Sequence, residues 1–327
     1  MKLSFVIPAH NEERYLGKCL DSIFKSIGND PEIEVIVVDN NSTDRTREVA
    51  LGYPKVRLVE ERKPGANSAR QAGYLAAKAD LIANVDADTM LTPGWVENAL
   101  RTFEKNPKLI CLSGPFIYYD LPRQTSILVK AFYVFAFLAY LTNRFIFRRA
   151  AVVQGGNYVV RKSALDRIGG YNTALTFYGD DADLARRLVK IGRVRFTFGF
   201  PIYSSGRRLA QEGMFTMGLR YGVNYLWIIY FNRPFTTRSI KVRPEQNEGK
   251  LDYAPENKLR EVAVASVFIL ILLVLLAGLA YGGYILIESG VISATTVQKI
   301  KTETQKADNS FDSLKQKIID QIKPASP

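Results

Sequence analysis

The sequence predicts an α/β fold built on a mostly parallel sheet. Three observations carry that expectation. Strand-like and helix-like segments alternate through the first half of the chain. The strands are apolar along their whole length rather than on alternate residues. Turn-forming and acidic residues gather where the strands end. Such alternation marks a parallel sheet covered by helices on both faces.

The first strand is "KLSFVI", residues 2–7, whose apolar run stops at Pro8 and is too short for a signal peptide. "ERYLGKCLDSIF" follows with helical periodicity, then the β-branched strand "EVIVVD". "DRTREVAL" reads as a second helix, "VRLVE" as a third strand and "ANSARQAGYLAA" as a third helix. "DLIANVD" completes four strands. Ligands of such sheets bind beyond the carboxyl ends of the strands. There this chain places "PAHNEE", "DNNSTD" and "DAD". Neither a G-x-G-x-x-G nor a G-x-x-x-x-G-K-[ST] turn occurs there, so a dinucleotide or P-loop site is poorly supported.

The fourth strand ends in Asp86 and Asp88. In an extended chain, residues two apart point to one side, about 6–7 Å apart. Two carboxylates so placed can share a hard cation such as Mg²⁺ or Mn²⁺, which keeps positions open for phosphate oxygens. The same letters recur at Asp181-Ala182-Asp183, but there they open the helical pattern "DADLARRLVK". On a helix those side chains diverge and cannot chelate together.

The balance of 44 Lys+Arg against 32 Asp+Glu gives a formal charge of +12. That excess suits nucleic acid, an anionic membrane surface or a phosphorylated substrate. No run of bases or nucleic-acid motif appears, so the last two partners are favoured and no nucleic acid is expected. Cys19 and Cys111 lie in apolar patterns and read as buried free thiols of a reducing compartment. His10 is the only histidine, which excludes a multi-histidine metal site.

Residues 262–287 contain no charged side chain. As a helix this run spans about 39 Å, ample for a hydrocarbon core of about 30 Å. It is expected to cross the membrane once, with the preceding bases Arg243, Lys250, Lys258 and Arg260 placing the large N-terminal part in the cytoplasm. A second apolar run, 127–147, cannot cross once, because Asp88 and Asp181 would then lie on opposite sides. It is expected either in the membrane interface, through Lys130, Arg144, Arg148 and Arg149, or buried in the protein. The domains expected are 1–235 catalytic, 236–261 juxtamembrane linker, 262–287 transmembrane helix and 288–327 polar tail.

Four stretches together resemble family 2 glycosyltransferases of the GT-A fold. They are "FVIPAHNEERYLGKCLDSI", "VIVVDNNSTDRTREVA", "KPGANSARQAGYLAAKADLIANVDADT" and "GGNYVVRKSALDRIGGYNTALTFYGDDADLARRL". The resemblance implies metal-dependent transfer of a sugar from a nucleotide diphosphate, with inversion at the anomeric carbon. It implies that Pro8, Ala9, Glu12 and Asp39 line the nucleotide pocket with Arg70 nearby, that Asp86 contacts the nucleotide, and that Asp88 holds the metal. Asn41 stands where the family commonly has glycine; Asn best tolerates a left-handed turn, so the loop shape is expected to survive.

Glycosyl transfer passes through an oxocarbenium-like state, so the departing diphosphate must be neutralised and the acceptor hydroxyl deprotonated. By resemblance Asp181 is the base and Asp180 its neighbour; the plainer reading is acidic capping of a helix start. Arg207 and Arg208 can fork onto diphosphate oxygens, or form a solvated basic surface. The function expected is an inverting transferase acting on a lipid or lipid-linked acceptor at the cell membrane. Two rivals are a polyprenyl-phosphate sugar synthase, which needs no base, and a non-enzymatic nucleotide-sugar binding protein.

Overall fold

The computed structural model describes residues 2–122, 152–175, 179–231 and 233–235, together with Thr125, Val129 and Tyr133. The first half runs β1 (Leu3–Ala9), α1 (Leu16–Ile27), β2 (Ile33–Asp39), α2 (Thr46–Leu51), β3 (Val56–Glu60), α3 (Ala66–Ala76) and β4 (Leu81–Val85). Next come β5 (Thr89–Leu91), α4 (Trp95–Lys105), β6 (Leu109–Ser113) and β7 (Phe116–Tyr118). The chain continues with β8 (Asn157–Arg161), α5 (Lys162–Ile168), α6 (Asp180–Leu188) and β9 (Arg193–Phe196). It ends, among the described residues, with β10 (Ile202–Ser204), α7 (Arg207–Glu212) and α8 (Met214–Phe231).

The main sheet has the strand order β3-β2-β1-β4-β8-β6-β9. It is parallel except for β8, which pairs antiparallel with both β4 and β6. Residues along each central strand alternate between two apolar layers. Leu3, Phe5 and Ile7 join α1 and α4 on one face, while Val6 joins α3, α5 and α6 on the other. This is why the strands lack a polar face in the sequence. Helix α1 buries Leu16, Cys19, Leu20 and Ile23, spacings that make one stripe on a helix.

A smaller sheet, β5-β10-β7, stands beside the ends of the first. Trp95 joins the two, with ring centroids 5.9 Å from Phe5 and 4.5 Å from Phe200. Cys19 and Cys111 are both buried and free. Asn41 adopts φ 60, the left-handed turn its identity predicts, and Asn11 does the same at φ 56.

Two details differ from the sequence expectation. The strand expected over 80–86 stops at Val85, and Ala87 and Asp88 form a turn closed by the Thr89 amide on Asp86 O. Asp86 and Asp88 therefore leave a turn rather than an extended strand. The antiparallel β8 also interrupts the parallel run. Its register, Val85↔Asn157, brings the glycines before Asn157 up to Asp86.

The chain divides into two units, Met1–Glu261 and Val262–Pro327, and every described residue belongs to the first. Among the described residues no helix is long and apolar enough to cross a membrane. The expected transmembrane run 262–287, the linker 236–261, the tail 288–327 and most of the segment 127–147 lie outside the described residues. Two described positions of that last segment face the protein. Val129 is buried against Leu209, and the Tyr133 hydroxyl donates to Gln154 Oε1 and accepts from the Phe116 amide.

Candidate active site

Three strand ends and two later helices build one rim. Ala9 and Asp39 end β1 and β2 in register, and Pro8 pairs with Val38. Beyond them the two loops are laced together. The Asn11 amide donates to Ser42 Oγ, the Thr43 amide to Asn11 Oδ1, and the Glu12 amide to Thr46 Oγ1. Asp39 Oδ1 accepts the Ser42 amide at 3.1 Å across the turn in which Asn41 takes its left-handed conformation. Asn40 donates to Glu61 O and Lys63 O and accepts from the Gly65 amide, fixing a third loop against the second. Pro8, Ala9, Glu12 and Asp39 thus lie together on the rim. His10 donates from Nδ1 to Asn40 O at 2.6 Å, a loop-fixing role rather than that of a base.

The centre of the rim is a charge network. Buried Arg70, from α3, donates to Asp180 Oδ2 at 2.7 Å and to Asp86 Oδ1 at 3.2 Å. Arg70 therefore lies between the two acidic motifs, a place its sequence position does not reveal. Asp181 turns the other way and accepts the Gly155 amide at 2.9 Å. Asp183 takes no part. It is buried against Arg186 at 2.8 Å and Arg187 at 2.7 Å, so the second D-x-D diverges as a helix requires.

Asp88 faces a different cation. Arg207 Nη2 lies 3.0 Å from Asp88 Oδ2 and 2.6 Å from Glu12 Oε1. Its guanidinium covers the Tyr15 ring at 4.6 Å. Arg207 reaches this point because β10 pairs with β5, and the Ser205 amide then donates to Asp88 O. Asp120 secures the turn that follows, accepting Ser205 Oγ at 2.5 Å and the Gly206 amide at 2.6 Å. Arg208, by contrast, pairs with Glu212 at 3.2 Å, and Arg220 holds the other oxygen of Glu212 at 2.7 Å. The two arginines predicted as diphosphate contacts thus part company: Arg207 faces Asp88 and Glu12, and Arg208 faces Glu212.

The electrostatics of these groups are uneven. Burial pushes the Asp88 carboxyl up to about 7, with Arg207 opposing and Glu12 and Asp86 adding to the rise. Asp180 is raised by burial and restrained by Arg70. Asp181 lies well above the ordinary carboxyl range, first through burial and then through neighbouring Asp180. Burial works against the Arg70 charge, yet Asp86, Asp180 and Asp181 hold it protonated. Five carboxylates (Glu12, Asp86, Asp88, Asp180 and Asp181) thus meet two guanidinium groups. When ionised, these acids outnumber the guanidinium groups, and an anionic diphosphate would then be repelled unless a further cation came with it.

Among the described residues no three His, Cys, Asp or Glu side chains group closely enough to hold a metal alone. The oxygen-only set of Asp86 and Asp88 fits Mg²⁺ or Mn²⁺, ions that take one or two carboxylates and complete their shell with phosphate oxygens. Asp88 already attracts a positive group in Arg207, which shows the charge its surroundings want.

Four contributors carry little or no signal in the sequence. A Cβ on Gly155 would stand 2.5 Å from Asp181 Oδ1, and one on Gly156 would stand 2.2 Å from Asp86 Oδ2. The pair is legible as a double glycine before a strand, but only the register shows which acids it seats. Asn157 is fully buried and ties Gly114 O, Pro115 O and Phe200 O to the Trp95 indole. One amide at the head of an apolar strand is its signal. Asp120 and Tyr15 give none, because their partners are distant in the chain.

With this geometry in place, the family comparison is decisive. The model of glycosyl transferase family 2 matches residues 4–169, half of the 327-residue chain. The chain belongs to glycosyl transferase family 2. It is 26% identical over 206 residues to the probable glycosyltransferase YdaM of Bacillus subtilis, covering 60% of this chain and 48% of that one. It is 31% identical over 114 residues to the chondroitin synthase of Escherichia coli, covering 34% of this chain and 16% of that one. The crystal structure of S. aureus TarS aligns with a TM-score of 0.50 at 16% identity, covering 70% of this chain and 44% of that one. That likeness shows the α/β GT-A fold alone. The chain spans about half, or less, of the length of the curated relatives it matches. The family match includes Asp86, Asp88 and the Gly155-Gly156 pair, and ends before Asp180, Asp181 and Arg207. The fold brings those three back to the same rim.

Proposed function

We propose that this chain is an inverting glycosyltransferase that moves a sugar from a nucleotide-diphosphate donor to a lipid or lipid-linked acceptor at a membrane. One observation carries the reading. Asp181, raised well above the ordinary carboxyl range, stands in the same charge network as Asp86, linked to it through Asp180 and Arg70. A carboxyl whose surroundings favour taking up a proton therefore sits beside the carboxylates suited to a donor diphosphate.

The nucleotide is held along the first two strand ends by Pro8, Ala9, Glu12 and Asp39. Asp86 and Asp88 hold Mg²⁺ or Mn²⁺, which when bound supplies positive charge to the departing diphosphate. Asp181 takes the proton of the acceptor hydroxyl as its oxygen bonds to the anomeric carbon. The bond from that carbon to the diphosphate oxygen breaks, and nucleoside diphosphate leaves with the bonding pair. The Gly155 amide and Arg70 keep Asp181 and Asp180 in their separate places. A raised carboxyl favours this hydroxyl acceptor over an anionic phosphate acceptor, which would need no base.

Support for the membrane comes from the apolar run 262–287 and the +12 charge. Further support comes from an aromatic group late in α8, where Trp227 lies 4.6 Å from Phe231 and 5.1 Å from Phe235. Phe231 and Phe235 are 56% and 60% exposed, apolar area that a membrane interface can bury, beside a Trp ring of the kind enriched at the membrane–water boundary.

The test is nucleotide release by the full chain from a panel of nucleotide sugars, with and without lipid-linked acceptors. Release with one donor, accelerated by an acceptor and stopped by chelation or Asp88→Asn, supports the reading. Undiminished turnover of Asp88→Asn, or of the chelated enzyme, overturns the assignment of the metal.

A further inference from the structure

Arg207 occupies the position of a cation without being one that arrives with substrate. Its Nη2 serves two carboxylates at once, Glu12 Oε1 at 2.6 Å and Asp88 Oδ2 at 3.0 Å. Its face is supported by the Tyr15 ring, and its backbone amide donates to Ser205 Oγ at 3.3 Å. The other terminal nitrogen, Nη1, is buried and meets no acceptor among the described residues. A buried guanidinium donor left without an acceptor is costly, and a phosphate oxygen is the acceptor its geometry fits.

We infer that Arg207 is an exchangeable counter-ion, which holds Asp88 and Glu12 in the donor-free protein and gives Asp88 up when a divalent cation enters with a diphosphate. The inference rests on the proposed metal-assisted reading of the same site. A cation coordinated by Asp88 must lie about 2.0–2.1 Å from a carboxylate oxygen. Arg207 Nη2 already holds one of those oxygens, and two positive groups on one carboxylate repel each other. Metal without diphosphate must therefore compete with Arg207. A diphosphate changes the balance, because its oxygens give both Arg207 nitrogens new acceptors as the side chain leaves Asp88.

The anchoring around Arg207 allows a side-chain exchange with the backbone in place. Asp120 holds the Gly206 amide and the Ser205 hydroxyl, and the Ser205 amide is held by Asp88 O. The start of α7 is thus fixed on both sides while the Arg207 side chain reaches forward. The consequence is linkage. Metal and diphosphate each bind more tightly in the presence of the other, by one common factor.

The experiment measures Mn²⁺ binding to the full chain in detergent by electron paramagnetic resonance, with Mn²⁺ alone and with inorganic pyrophosphate. In the parent protein, pyrophosphate should tighten Mn²⁺ at least tenfold. Arg207→Gln should bind Mn²⁺ alone at least tenfold more tightly than the parent, and should lose most of the gain from pyrophosphate. Arg207→Lys keeps the charge and should follow the parent for Mn²⁺ alone. Melting curves of both variants exclude misfolding as the cause. Arg207→Gln binding Mn²⁺ alone no better than the parent overturns the exchange, including the case in which neither binds. Asp88→Asn separates the two ideas. If it leaves Mn²⁺ binding unchanged, the metal assignment itself fails. If it abolishes binding while Arg207→Gln has no effect, only the exchange fails.

Discussion

Arg70 donates from Nη1 to Oδ2 of Asp180 across 2.7 Å. The bond joins α3 to the start of α6, and it divides the work of two adjacent acids. Asp180 has a guanidinium partner, so its charge is compensated. Asp181 accepts the Gly155 amide and feels Arg70 through space, but burial and its neighbour's charge outweigh that relief. Adjacent residues thus take different roles through the side of the helix start they face.

If Asp181 is the base, Asp181→Asn should lower transfer by about 10²- to 10⁴-fold, the range typical of a lost general base. Nucleoside-diphosphate affinity should stay within a few-fold, because the donor side of the rim is untouched. Steady-state rates and a binding titration read the two quantities separately. A variant with parental turnover would leave Asp181 as a helix-start acid.

The same substitution has a signed effect on stability. The folded pKa of Asp181 is raised above an unfolded value of about 3.9, so its neutral form is the one the fold prefers. Its contribution is fully present below the unfolded value and is lost as pH rises through the folded one. Asp181→Asn removes that loss. Its melting temperature relative to the parent should therefore improve as pH increases, with little difference in acid.

A pH–rate profile tests the coupling between the acids. A base must be ionised, so transfer should climb as pH rises through the elevated pKa of Asp181. The charge of Asp180 is a cause of that elevation. Asp180→Asn should therefore move the acid limb to lower pH, even if the maximal rate falls through loss of the Arg70 contact. An acid limb that stays in place would show that burial alone sets it.

Much of this arrangement is legible in the amino-acid sequence. Continuous apolar strands specify the sheet type, and turn residues after each strand mark the binding edge, because both follow from local chemistry. Asp86, Asp88, Asp180 and Asp181 stand out as acids beside apolar runs, where charge needs a reason. The counter-ions do not. Arg70 looks like any helical arginine, and Arg207 like its neighbour Arg208, until the pairing of β10 with β5 brings Arg207 to Asp88, while Arg208 takes Glu212 one turn along its own helix. Long-range partners leave no local signature. The turn at Ala87 is hidden for the opposite reason, since alternating small and acidic residues read equally well as extended chain.

The double glycine makes a sharper test of geometry. Gly156 has φ +75, and a Cβ there would meet Asp86 Oδ2 at 2.2 Å. Gly156→Ala should cost about 1–3 kcal/mol of stability from backbone strain alone. Gly155 carries no such strain, but its Cβ would meet Asp181 Oδ1 at 2.5 Å. Gly155→Ala should therefore reduce transfer at least tenfold with a much smaller loss of stability. Chemical denaturation should show the larger loss in Gly156→Ala, while turnover should fall in both, because each Cβ displaces an acid of the site.

The final prediction concerns where the catalytic unit ends. Among the described residues, the two apolar layers of the main sheet end with Phe200 and Ile202 on one face and Val194 on the other. The site residues are complete by Arg207, and Glu212 ties α7 to α8 through Arg208 and Arg220. Each residue named in that framework lies within the first unit, Met1–Glu261. A chain cut after Glu261 should therefore fold cooperatively and bind nucleoside diphosphate within a few-fold of the full protein. It should lose most of its association with lipid vesicles, because the 262–287 run is gone. What remains would come from the α8 aromatics and the basic surface, and the basic share should weaken as salt rises. Calorimetry reads the fold and the nucleotide, and vesicle flotation reads the membrane. A truncated chain that melts without cooperativity would place part of the catalytic core beyond Glu261. One that floats as well as the parent would move the membrane contact into the catalytic unit itself.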